Sequence, residues 1–381
     1  MNKEAPNGWE FVPADKYCTE VTDGTHDSPK PVEYNGHYLL TSKNVTSGIL
    51  NYENAYCISE EDFNAVNKRS KVNQYDLLYS MIGTVGESCI VEQDKIDFAI
   101  KNVGLFRLNG DLLKAKWLNY FFKSNIAKTY VEKSLKGATQ KYIALGVLRK
   151  FPILIPSTTA EQQEIVQVLD TMSDIIRLRE ECISHAQDLI PALFREMFGK
   201  IERNTRLNSI ISLEYGKALK AENRNSEGEY PVYGSNGIVG YHDSYIVEGQ
   251  TIIVGRKGSC GKLNLTQKSC FPIDTCFYIK QKTPVNWYYL FYALQELNIE
   301  NMLKDAVIPG INRNDYLRNS IRLASTSEQE QFAQKAIEIE SYIKEQQEEL
   351  ENAKQMFQSL LHHAFTGELT NNKPQGDTLE K

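Results

Sequence analysis

Residues 76–86 read Asp76-Leu77-Leu78-Tyr79-Ser80-Met81-Ile82-Gly83-Thr84-Val85-Gly86, and residues 251–261 read Thr251-Ile252-Ile253-Val254-Gly255-Arg256-Lys257-Gly258-Ser259-Cys260-Gly261. Each is an apolar run that leads into a glycine-rich tip, and the two begin 175 positions apart. A solenoid is excluded, because its units run roughly 20–50 residues. The spacing predicts a whole domain that occurs twice.

Other segments recur in the same order in the two halves. The pairs are Trp117–Phe122 with Trp287–Tyr292, Leu148-Arg149 with Leu317-Arg318, and Glu161-Gln162 with Glu328-Gln329. A Ser/Thr-rich break precedes each Glu-Gln pair, and a long heptad-patterned segment follows it. The repeated module is therefore predicted to be a globular domain followed by a long helix, which suits a target with two similar parts.

Composition places the chain among globular proteins. It has 381 residues and 41% hydrophobic residues, enough for two or three cores of about 100–150 residues each. The polar start, residues 1–8, does not resemble a signal peptide, and no segment has the apolar length of a membrane span. Seven scattered cysteines include no C-x-x-C pair, so buried thiols in a reducing cytoplasm are expected rather than disulfides or zinc.

The net charge of −6 is unevenly distributed. Residues 1–157 carry 19 Lys and Arg against 18 Asp and Glu, a net of +1, and residues 201–325 carry 15 against 12, a net of +3. Residues 158–200 carry 4 against 8, and residues 326–381 carry 5 against 11, nets of −4 and −6. The predicted helices thus hold the acid, whereas the mildly basic domains fit a polyanion partner whose phosphates other subunits help to neutralise.

The first half has the pattern of an α+β domain over residues 1–157. Short β-rich runs are predicted at Tyr38–Leu40, Ile49-Leu50, Asp76–Ile82, Val103–Leu108 and, bounded by prolines, Phe151–Pro156. One helix is predicted over about 115–134, from the apolar spacing of Trp117, Leu118, Phe121, Phe122, Ile126 and Tyr130.

Two long helices are predicted over residues 158–199 and 326–367, each on the order of 50 Å at 1.5 Å per residue. Ser157–Thr159 supplies an N-cap with Glu161-Gln162 to complete a capping box, while Pro191 is expected to perturb the last turns. The a/d positions of the first helix are Ile165, Val168, Met172, Ile175, Arg179, Cys182, Ala186, Leu189 and Leu193. Those of the second are Phe332, Ala336, Ile339, Ile343, Gln346, Leu350, Ala353, Phe357, Leu360 and Ala364.

Two arrangements are open for these helices. Each can lie on its own domain, or the two can pair antiparallel with one domain at each end. Their matching lengths and the single polar seam residue in each, Arg179 and Gln346, favour pairing.

Three segments contain residues that could take part in binding or catalysis. Residues 255–263 resemble a nucleotide phosphate loop, but five residues separate Gly255 from Gly261 and Leu263 stands where Ser or Thr is needed, so a hairpin is predicted. Its cations, Arg256 and Lys257, suit a phosphate or a guanine edge, with solvated surface charge as the alternative. The loop Tyr230–Tyr241 is either a base-reading loop or an Asx-type turn. Residues 23–27 are predicted to form a structural turn rather than a metal site.

The sequence contains no recognisable set of catalytic residues. The sequence has no Asn/Asp-Pro-Pro-aromatic tetrapeptide of adenine methyltransferases and no glycine-rich dinucleotide fingerprint. A nuclease-like cluster of Asp, Glu and Lys after a proline is also lacking. The chain therefore reads as a non-catalytic binding protein.

The chain resembles the specificity subunit of type I restriction-modification systems over essentially its whole length. The matching segments are Trp9, Asp23–His26 with Pro29, Gly137–Gln140, Ile153–Pro156 with Glu161-Gln162, Leu193–Gly199, Tyr230–Gly237, Gly255–Ser259, Asp274-Thr275 and Ala364–Leu369. One departure is that Val307-Ile308-Pro309-Gly310-Ile311 stands where the second half needs an equivalent of Gly137–Gln140.

The resemblance implies two target-recognition domains, 1–157 and 200–325, separated by spacer helices 158–199 and 326–367 and followed by a flexible tail, 368–381. Each domain would read half of a bipartite double-stranded DNA target in the cytoplasm. The helices would set the gap and dock two modification subunits, which hold S-adenosylmethionine and flip the adenine. Motor-nuclease restriction subunits, which use ATP and magnesium, would join that core. This chain itself would hold no cofactor or metal and catalyse nothing.

The residues expected to contact DNA are polar or cationic loop residues. They are Lys43, Asn44, Lys101, Asn102, Gln140 and Lys141 in the first domain, and Lys217, Lys220, Arg224, Ser235, Asn236, Arg256 and Lys257 in the second. Each lysine is expected to meet phosphate rather than a base. Two other functions remain open: an enzyme with an unrecognised active site, and a coiled-coil scaffold with two protein-binding heads and no DNA specificity of its own.

Overall fold

The computed structural model describes residues 5–33, 36–46, 48–299 and 310–371. It divides into two compact units, Met1–Leu178 with Leu350–Lys381 and Arg179–Glu349. Both units mix helices with antiparallel-rich sheets, which confirms the α+β class.

The strands are β1 (Glu10–Pro13), β2 (Glu20–Asp23), β3 (His37–Thr41), β4 (Val45–Thr46), β5 (Ile49–Leu50), β6 (Tyr56–Ile58), β7 (Leu77–Ser80), β8 (Ser88–Ile90), β9 (Phe98–Lys101), β10 (Val103–Arg107), β11 (Pro152–Ile155), β12 (Thr205–Arg206), β13 (Ile211–Tyr215), β14 (Tyr230–Gly234), β15 (Gly237–His242), β16 (Thr251–Gly255), β17 (Leu263–Thr266), β18 (Phe271–Pro272), β19 (Cys276–Gln281) and β20 (Ser320–Ile321). The helices are α1 (Ala14–Tyr17), α2 (Glu60–Ser70), α3 (Leu112–Lys123), α4 (Asn125–Ser134), α5 (Leu145–Arg149), α6 (Thr159–Phe198), α7 (Leu207–Ile210), α8 (Trp287–Gln295), α9 (Arg313–Leu317), α10 (Thr326–Thr366) and α11 (Glu368–Asn371).

The two units repeat one topology. A four-stranded sheet has the order β2-β10-β7-β8 in the first unit and β13-β19-β16-β17 in the second. A three-stranded sheet, β6-β3-β9, matches β15-β14-β18, and the small pair β1-β11 matches β12-β20. In both three-stranded sheets one neighbour of the central strand is antiparallel and the other parallel. The predicted duplication is therefore confirmed strand by strand.

The repeated segments quoted first form equivalent hairpins. Leu77 pairs with Ile90 across β7 and β8, and Thr251 pairs with Thr266 across β16 and β17. All four residues of β7 and all five of β16 are buried, as expected for central strands covered on both faces. Both tips turn through glycines with positive φ, at 79° and 110° in the first and 78° and 82° in the second.

Aromatic side chains fill the core beneath the four-stranded sheets. Trp117 of α3 is fully buried, and its indole Nε1 donates to the Leu154 carbonyl oxygen at 2.9 Å. Tyr289 of α8 takes the corresponding place in the second unit, where its hydroxyl donates to the Arg322 carbonyl at 2.6 Å. Burying such rings while satisfying their polar atoms is a large share of each domain's stability.

The single helix predicted over about 115–134 is wrong in one respect. The segment forms two helices, α3 and α4, with a break at Ser124. The Ser124 hydroxyl lies 3.3 Å from the Ala127 backbone N–H as the N-cap of α4, and the Ser124 backbone is extended. A serine that caps a new helix ends the old one, because it competes with the helical hydrogen bonds.

The N-cap that the sequence predicts for α6 is confirmed at Thr158, and α10 begins with a capping box. Thr158 Oγ1 accepts from the Glu161 backbone N–H at 3.2 Å, and Trp9 Nε1 donates to the Glu161 carboxylate at 3.2 Å. At α10, Ser325 and Glu328 form a reciprocal capping box, with the Ser325 N–H donating to the Glu328 carboxylate at 3.0 Å. The Ser325 hydrogen bonds lower the pKa of Glu328.

Helices α6 and α10 contain 40 and 41 residues, about 60 Å each and longer than the sequence estimate. Helix α6 continues through Pro191 without interruption. Of the expected tail, 368–371 form the short helix α11, and 372–381 lie outside the described residues.

The long helices pack against each other within both units. In the first unit, α6 residues Ile165 and Leu169 share one core with Phe357 and Leu361 of α10. In the second, the ring of Phe194 lies 5.2 Å from that of Phe332. The early part of α6 thus meets the late part of α10 and the reverse, so the helices are antiparallel. The alternative in which each helix lies alone on its own domain is excluded.

The seam of α10 agrees with the prediction, but four of the nine predicted seam positions of α6 are wrong. Every predicted α10 position is buried or half-buried. On α6, Val168, Ile175, Cys182 and Leu189 are exposed, and the buried or half-buried positions one residue later replace them: Leu169, Ile176, Ile183 and Ile190. The apolar residues of α6 form two adjacent stripes, and only one of them is buried or half-buried along its length.

Candidate nucleic-acid interface

Exposed loops gather at one end of the four-stranded sheet in the first domain. The β7–β8 tip meets the loop 136–142, where the Gly83 N–H donates to the Lys141 carbonyl at 3.1 Å. Lys136 and Tyr142 close that loop with two backbone hydrogen bonds of 2.9 Å. All seven residues from 136 to 142 are exposed. The side chains of Gln140 and Lys141 are therefore presented to solvent on a fixed backbone turn, as a DNA-contacting loop requires.

The backbone conformation at position 137 requires a glycine. Its φ is +92°, and a Cβ there would collide with the carbonyl oxygen of Gln140. A glycine without a side chain allows both the left-handed backbone and the close approach.

A second group lies beside this loop, around the turn after β2. The His26 imidazole lies between Asn102 Oδ1 at 2.7 Å and the Asp23 carboxylate at 3.2 Å. Asp23 is buried and also pairs with Arg69. The predicted structural role of the turn is supported, because a Cβ on Gly24 would collide with the Ile100 carbonyl. Lys101 Nζ donates to Ser28 Oγ, so Lys101 and Asn102 lie at the surface but are partly engaged.

Asn44 does not belong to this interface. It is 3% exposed; its Oδ1 accepts from the Thr41 N–H at 2.8 Å, and its Nδ2 donates to the Asn51 carbonyl at 2.8 Å. The expectation that Asn44 contacts DNA is therefore not supported, because the groups of this buried amide are used inside the protein. Its neighbour Lys43 is exposed, as expected.

In the second domain, the corresponding loops meet at the β16–β17 tip. The tip is a hairpin, which confirms that residues 255–263 do not form a phosphate loop. Lys257 is exposed, and its backbone forms an antiparallel bridge with Gly310. Lys217 and Lys220 follow β13 and are exposed, and Lys220 Nζ lies 3.4 Å from the Glu222 carboxylate. Such a weak surface pair leaves the lysine available to a phosphate.

The segment Tyr230–Tyr241 forms two strands rather than an irregular loop, and the base-reading interpretation stays a prediction. It is the β14–β15 hairpin, with Ser235 and Asn236 at its tip. Ser235 is 9% exposed and its hydroxyl lies 2.5 Å and 2.9 Å from the carbonyls of Lys257 and Thr275, so it joins two loops, and a DNA contact by this residue is not supported. Asn236 is exposed and accepts from Lys262 Nζ at 2.7 Å, which keeps it in the candidate interface.

Two predicted arginine contacts also have structural roles. Arg224 donates to the Val239 and Leu219 carbonyls at 3.2 Å and 3.3 Å and lies against Gly240. Arg256 is half-buried and donates to the Asp274 carbonyl at 2.6 Å. Because each guanidinium is fastened to backbone carbonyls, direct base reading by either residue is not supported.

The structure adds residues that sequence reasoning missed. Tyr215 is 52% exposed, and the guanidinium carbons of Arg256 and Arg313 lie 5.3 Å and 5.7 Å from its ring centroid. His26, which the sequence predicts only as part of a structural turn, is another such residue. The repeat could have revealed Tyr215, since Tyr215-Gly216 ends β13 as Asp23-Gly24 ends β2.

Across the described ranges, no group of three or more His, Cys, Asp or Glu side chains could hold a metal ion. Five cysteines are buried as expected, but Cys57 is half-buried and Cys182 exposed. Burial raises the pKa of Cys18, Cys89 and Cys270 to about 12, which keeps them as inert thiols. Among the helices of the described residues, none combines the length and apolarity needed to span a bilayer.

The departure noted at 307–311 is only partly visible. Val307, Ile308 and Pro309 lie outside the described residues. Gly310 and Ile311 correspond to Tyr142 and Ile143 of the first domain, because both pairs bridge to the hairpin tip. These two residues of the second domain thus keep the contacts with the hairpin tip that follow the Gly137–Gln140 loop in the first domain.

The chain is similar to known specificity proteins. The family model described as type I restriction modification DNA specificity domain matches residues 20–185 and 202–352. The type I restriction enzyme EcoprrI specificity subunit of Escherichia coli is 22% identical over 258 residues. That match covers 62% of this chain and 63% of that subunit, slightly less than two thirds of its length.

Two solved structures have the same fold. The S subunit of a type I restriction-modification system from M. genitalium is 18% identical, with a TM-score of 0.58, covering 96% of this chain and 97% of that one. A chain from a study of complex assembly and conformational transition in a type I R-M system is 15% identical, with a TM-score of 0.59, covering 96% and 100%. Because the family model covers most of the sequence, this chain belongs to the type I restriction-modification DNA specificity domain family.

Proposed function

We propose that this chain is the DNA-recognition subunit of a type I restriction-modification complex, and that each domain reads one half of a bipartite target. One observation carries the proposal: the two segments matched by the DNA specificity model contain two domains with the same strand order. Two similar readers in one chain suit a site with two parts.

The charges at the loop ends support contact with DNA phosphates. Lys43 and Lys141 in the first domain and Lys217, Lys220 and Lys257 in the second are exposed at or near the loops described above. Five lysines are few for a tight complex, because each contacted phosphate adds a limited electrostatic gain. Partner subunits are therefore proposed to supply further positive charge around the DNA.

The paired helices α6 and α10 are proposed to set the number of base pairs between the half-sites. Their seam is a continuous a/d pattern rather than a flexible linker, and each helix is about 60 Å long. A rigid spacer of fixed residue number would impose one gap length, whereas a flexible linker would tolerate several.

The unpaired stripe of α6 is proposed to dock modification subunits. Val168, Ile175 and Leu178 in the first unit and Leu189 in the second are apolar and 38% to 54% exposed. Exposed apolar residues at helical spacing mark a surface that a partner covers. We propose two modification subunits, one for each half-site, with restriction subunits joining them in the complete enzyme.

Chemistry is proposed to belong to those partners. S-adenosylmethionine and adenine flipping are assigned to the modification subunit, and ATP and magnesium to the restriction subunit. This chain would select the site without a cofactor or a catalytic residue of its own. The reaction would take place in the cytoplasm, where the DNA is.

The test is to exchange residues 201–325 for the same domain of a related subunit and to map methylated adenines across the host genome. The expected result is a site with one half changed and the other half and the gap retained. Exchange of residues 1–157 is the matched experiment and should change the other half. An unchanged site, or a change in both halves after either exchange, contradicts the proposal.

The alternative of a coiled-coil scaffold with protein-binding heads is not favoured, because the family model identifies both heads as DNA specificity domains. The scaffold would be supported if the chain, together with its modification subunits, bound DNA without sequence preference.

A further inference from the structure

We propose that Arg313, held against Tyr215, reads a guanine in the half-site of the second domain. This inference rests on the proposed DNA-recognition function and deepens it, because it names one specificity-determining residue and its base. Neither residue was expected from the sequence.

Two arginine side chains, Arg256 and Arg313, lie against the exposed ring of Tyr215. Tyr215 is the last residue of β13, and the guanidinium of Arg313 lies 5.7 Å from its ring centroid, within the range of a cation–π contact. Arg256 lies 5.3 Å from the same centroid. Two like charges beside one ring raise the local positive potential, which attracts an electron-rich partner such as a phosphate or a guanine edge.

The two arginines are brought together by the backbone. The Ile311 N–H donates to the Arg256 carbonyl at 3.2 Å, and Gly310 bridges to Lys257. Arg313 then begins α9, whose N-cap Asn312 accepts from the Asn314 N–H at 2.8 Å. Arg313 is therefore anchored on an ordered turn, as a base-reading side chain needs to be.

Arg256 and Arg313 differ in what they have left to donate. Arg256 is half-buried and its Nη2 is used by the Asp274 carbonyl. Arg313 is exposed, and within the described ranges no carboxylate or carbonyl accepts from its guanidinium. The nearby carboxylate of Asp315 is paired with Arg318 at 3.0 Å. The N–H donors of the planar Arg313 guanidinium thus remain available to a ligand. Arg256 packs against the same Tyr215 ring and helps to hold it in place.

The same position in the first domain holds different side chains. The Ile143 N–H donates to the Met81 carbonyl at 2.9 Å, so Met81 corresponds to Arg256 and Leu145 to Arg313. Asp23 corresponds to Tyr215, because the next residue in each case is a glycine packed against the end of a parallel strand. In the first domain, the position equivalent to the contact between Tyr215 and Arg313 is a cleft. Its lining residues include Asp23, His26, Arg69, Met81 and Leu145.

A constant backbone frame with exchanged side chains is what a reading position should show. Positions that hold the fold together, such as Gly24 and Gly216, are the same in both domains. Positions that choose a base must differ if the two half-sites differ. Guanine is the base that arginine reads most often, through a bidentate contact to O6 and N7 in the major groove.

The experiment uses the full chain assembled with its modification subunits. The wild-type site is first mapped from methylated adenines, and binding is then measured by fluorescence anisotropy on duplexes substituted at each position of the second half. Arg313→Ala is expected to weaken cognate binding by about tenfold to a hundredfold and to relax one G·C position. Arg313→Lys keeps the charge but loses the fork, so the same position should relax.

Controls separate positioning from folding. Tyr215→Phe keeps the ring face and should bind normally, whereas Tyr215→Leu should weaken binding and relax the same position. Arg318→Ala removes another exposed arginine, next to α9, and should leave the site unchanged. Thermal unfolding of each variant identifies any that fails to fold. If Arg313→Ala does not fold, Arg313→Lys still tests the proposal.

Three results would overturn the proposal. They are an unchanged site in Arg313→Ala, an equal loss for every base at every position, which indicates a phosphate contact, or relaxation in the first half-site. The proposed function fails differently, because then the wild-type complex itself would show no two-part site.

Discussion

Arg179 of α6 donates a hydrogen bond from Nη1 to the Oε1 of Gln346 on α10, at 2.8 Å. The same guanidinium pairs with the Glu349 carboxylate. Arg179 and Gln346 are the two polar residues that interrupt the otherwise apolar seams, and each is the hydrogen-bond partner of the other. Polar pairs of this kind fix the register of coiled helices, because a shift by one turn would leave both side chains without a partner.

Removing one member of this pair should cost stability. Arg179→Ala is expected to lower the free energy of unfolding by about 1 kcal/mol, a modest value because both Arg179 and Glu349 are partly exposed. The double variant Arg179→Leu, Gln346→Leu should recover that loss, since an apolar pair fits the seam. Chemical denaturation of the single variants Arg179→Leu and Gln346→Leu and of the double variant measures the coupling. Strictly additive effects would show that the pair contributes nothing to the seam.

Truncation of the neighbouring residues Val168 and Leu169 should have very different effects on stability. Leu169 is fully buried between the helices, so Leu169→Ala should destabilise the chain by about 2–5 kcal/mol. Val168 is 43% exposed, and Val168→Ala should change the stability by less than about 0.5 kcal/mol. If the exposed stripe docks a modification subunit, Val168→Ala should instead weaken co-purification with it. Equal stability losses in both variants would contradict the corrected seam.

That correction shows what the sequence can and cannot specify. The seam of α10 is predicted correctly because its apolar residues form one stripe. Helix α6 carries Val168 and Leu169, and Ile175 and Ile176, side by side, so a heptad count cannot tell which stripe meets α10. The choice depends on the partner helix and on a surface that a further subunit is proposed to cover.

The same limit applies to the candidate interface. Repeated hairpins and their glycine tips are fixed by local patterns, and these were predicted. The expected DNA contacts of Asn44, Arg224 and Ser235 are not supported, because a polar side chain in a loop can satisfy the protein's own backbone as readily as a ligand. Tyr215 and Arg313 are 98 positions apart in the sequence and meet only through the fold.

Gly24 should not tolerate a methyl group. Its Cβ would collide with the Ile100 carbonyl, so Gly24→Ala is expected to cost about 1–3 kcal/mol of stability. Gly146→Ala is the matched control, because no atom lies within 4 Å of its added Cβ and its position is helical. The control should be neutral or slightly stabilising. Thermal unfolding of both variants decides, and equal melting temperatures would contradict the close approach.

His37 should make stability depend on pH. Its imidazole lies 3.1 Å from the Glu60 carboxylate and also contacts Asp97, and the hydrogen bond to Glu60 raises the pKa of His37 in the folded state. The protonated form is therefore favoured by folding. Its stabilising effect is fully present below the unfolded pKa of about 6.5 and is lost as the pH rises through the higher folded value.

The measurement compares melting temperatures of the wild type and His37→Gln from pH 5 to pH 9 in steps. The wild type should exceed the variant most at the acid end, and the difference should shrink as the pH rises. A difference that grows with rising pH would contradict the assigned direction.

Lys141 should contribute charge without sequence information. Lys141→Ala is expected to weaken DNA binding by the assembled complex similarly for all sequences and to reduce the salt dependence of binding by about one counterion. Binding isotherms at several salt concentrations measure that slope. An unchanged slope, or a change of preferred base, would assign Lys141 another role.

The most direct test of the central claim removes one heptad from each long helix and maps methylated adenines. Deleting residues 180–186 and 339–345 retains Arg179 opposite Gln346 and shortens both helices by about 10 Å. At 3.4 Å per base pair, the gap should contract by about three base pairs while both half-sites stay the same. Methylation that persists at sites with the original gap would contradict the account.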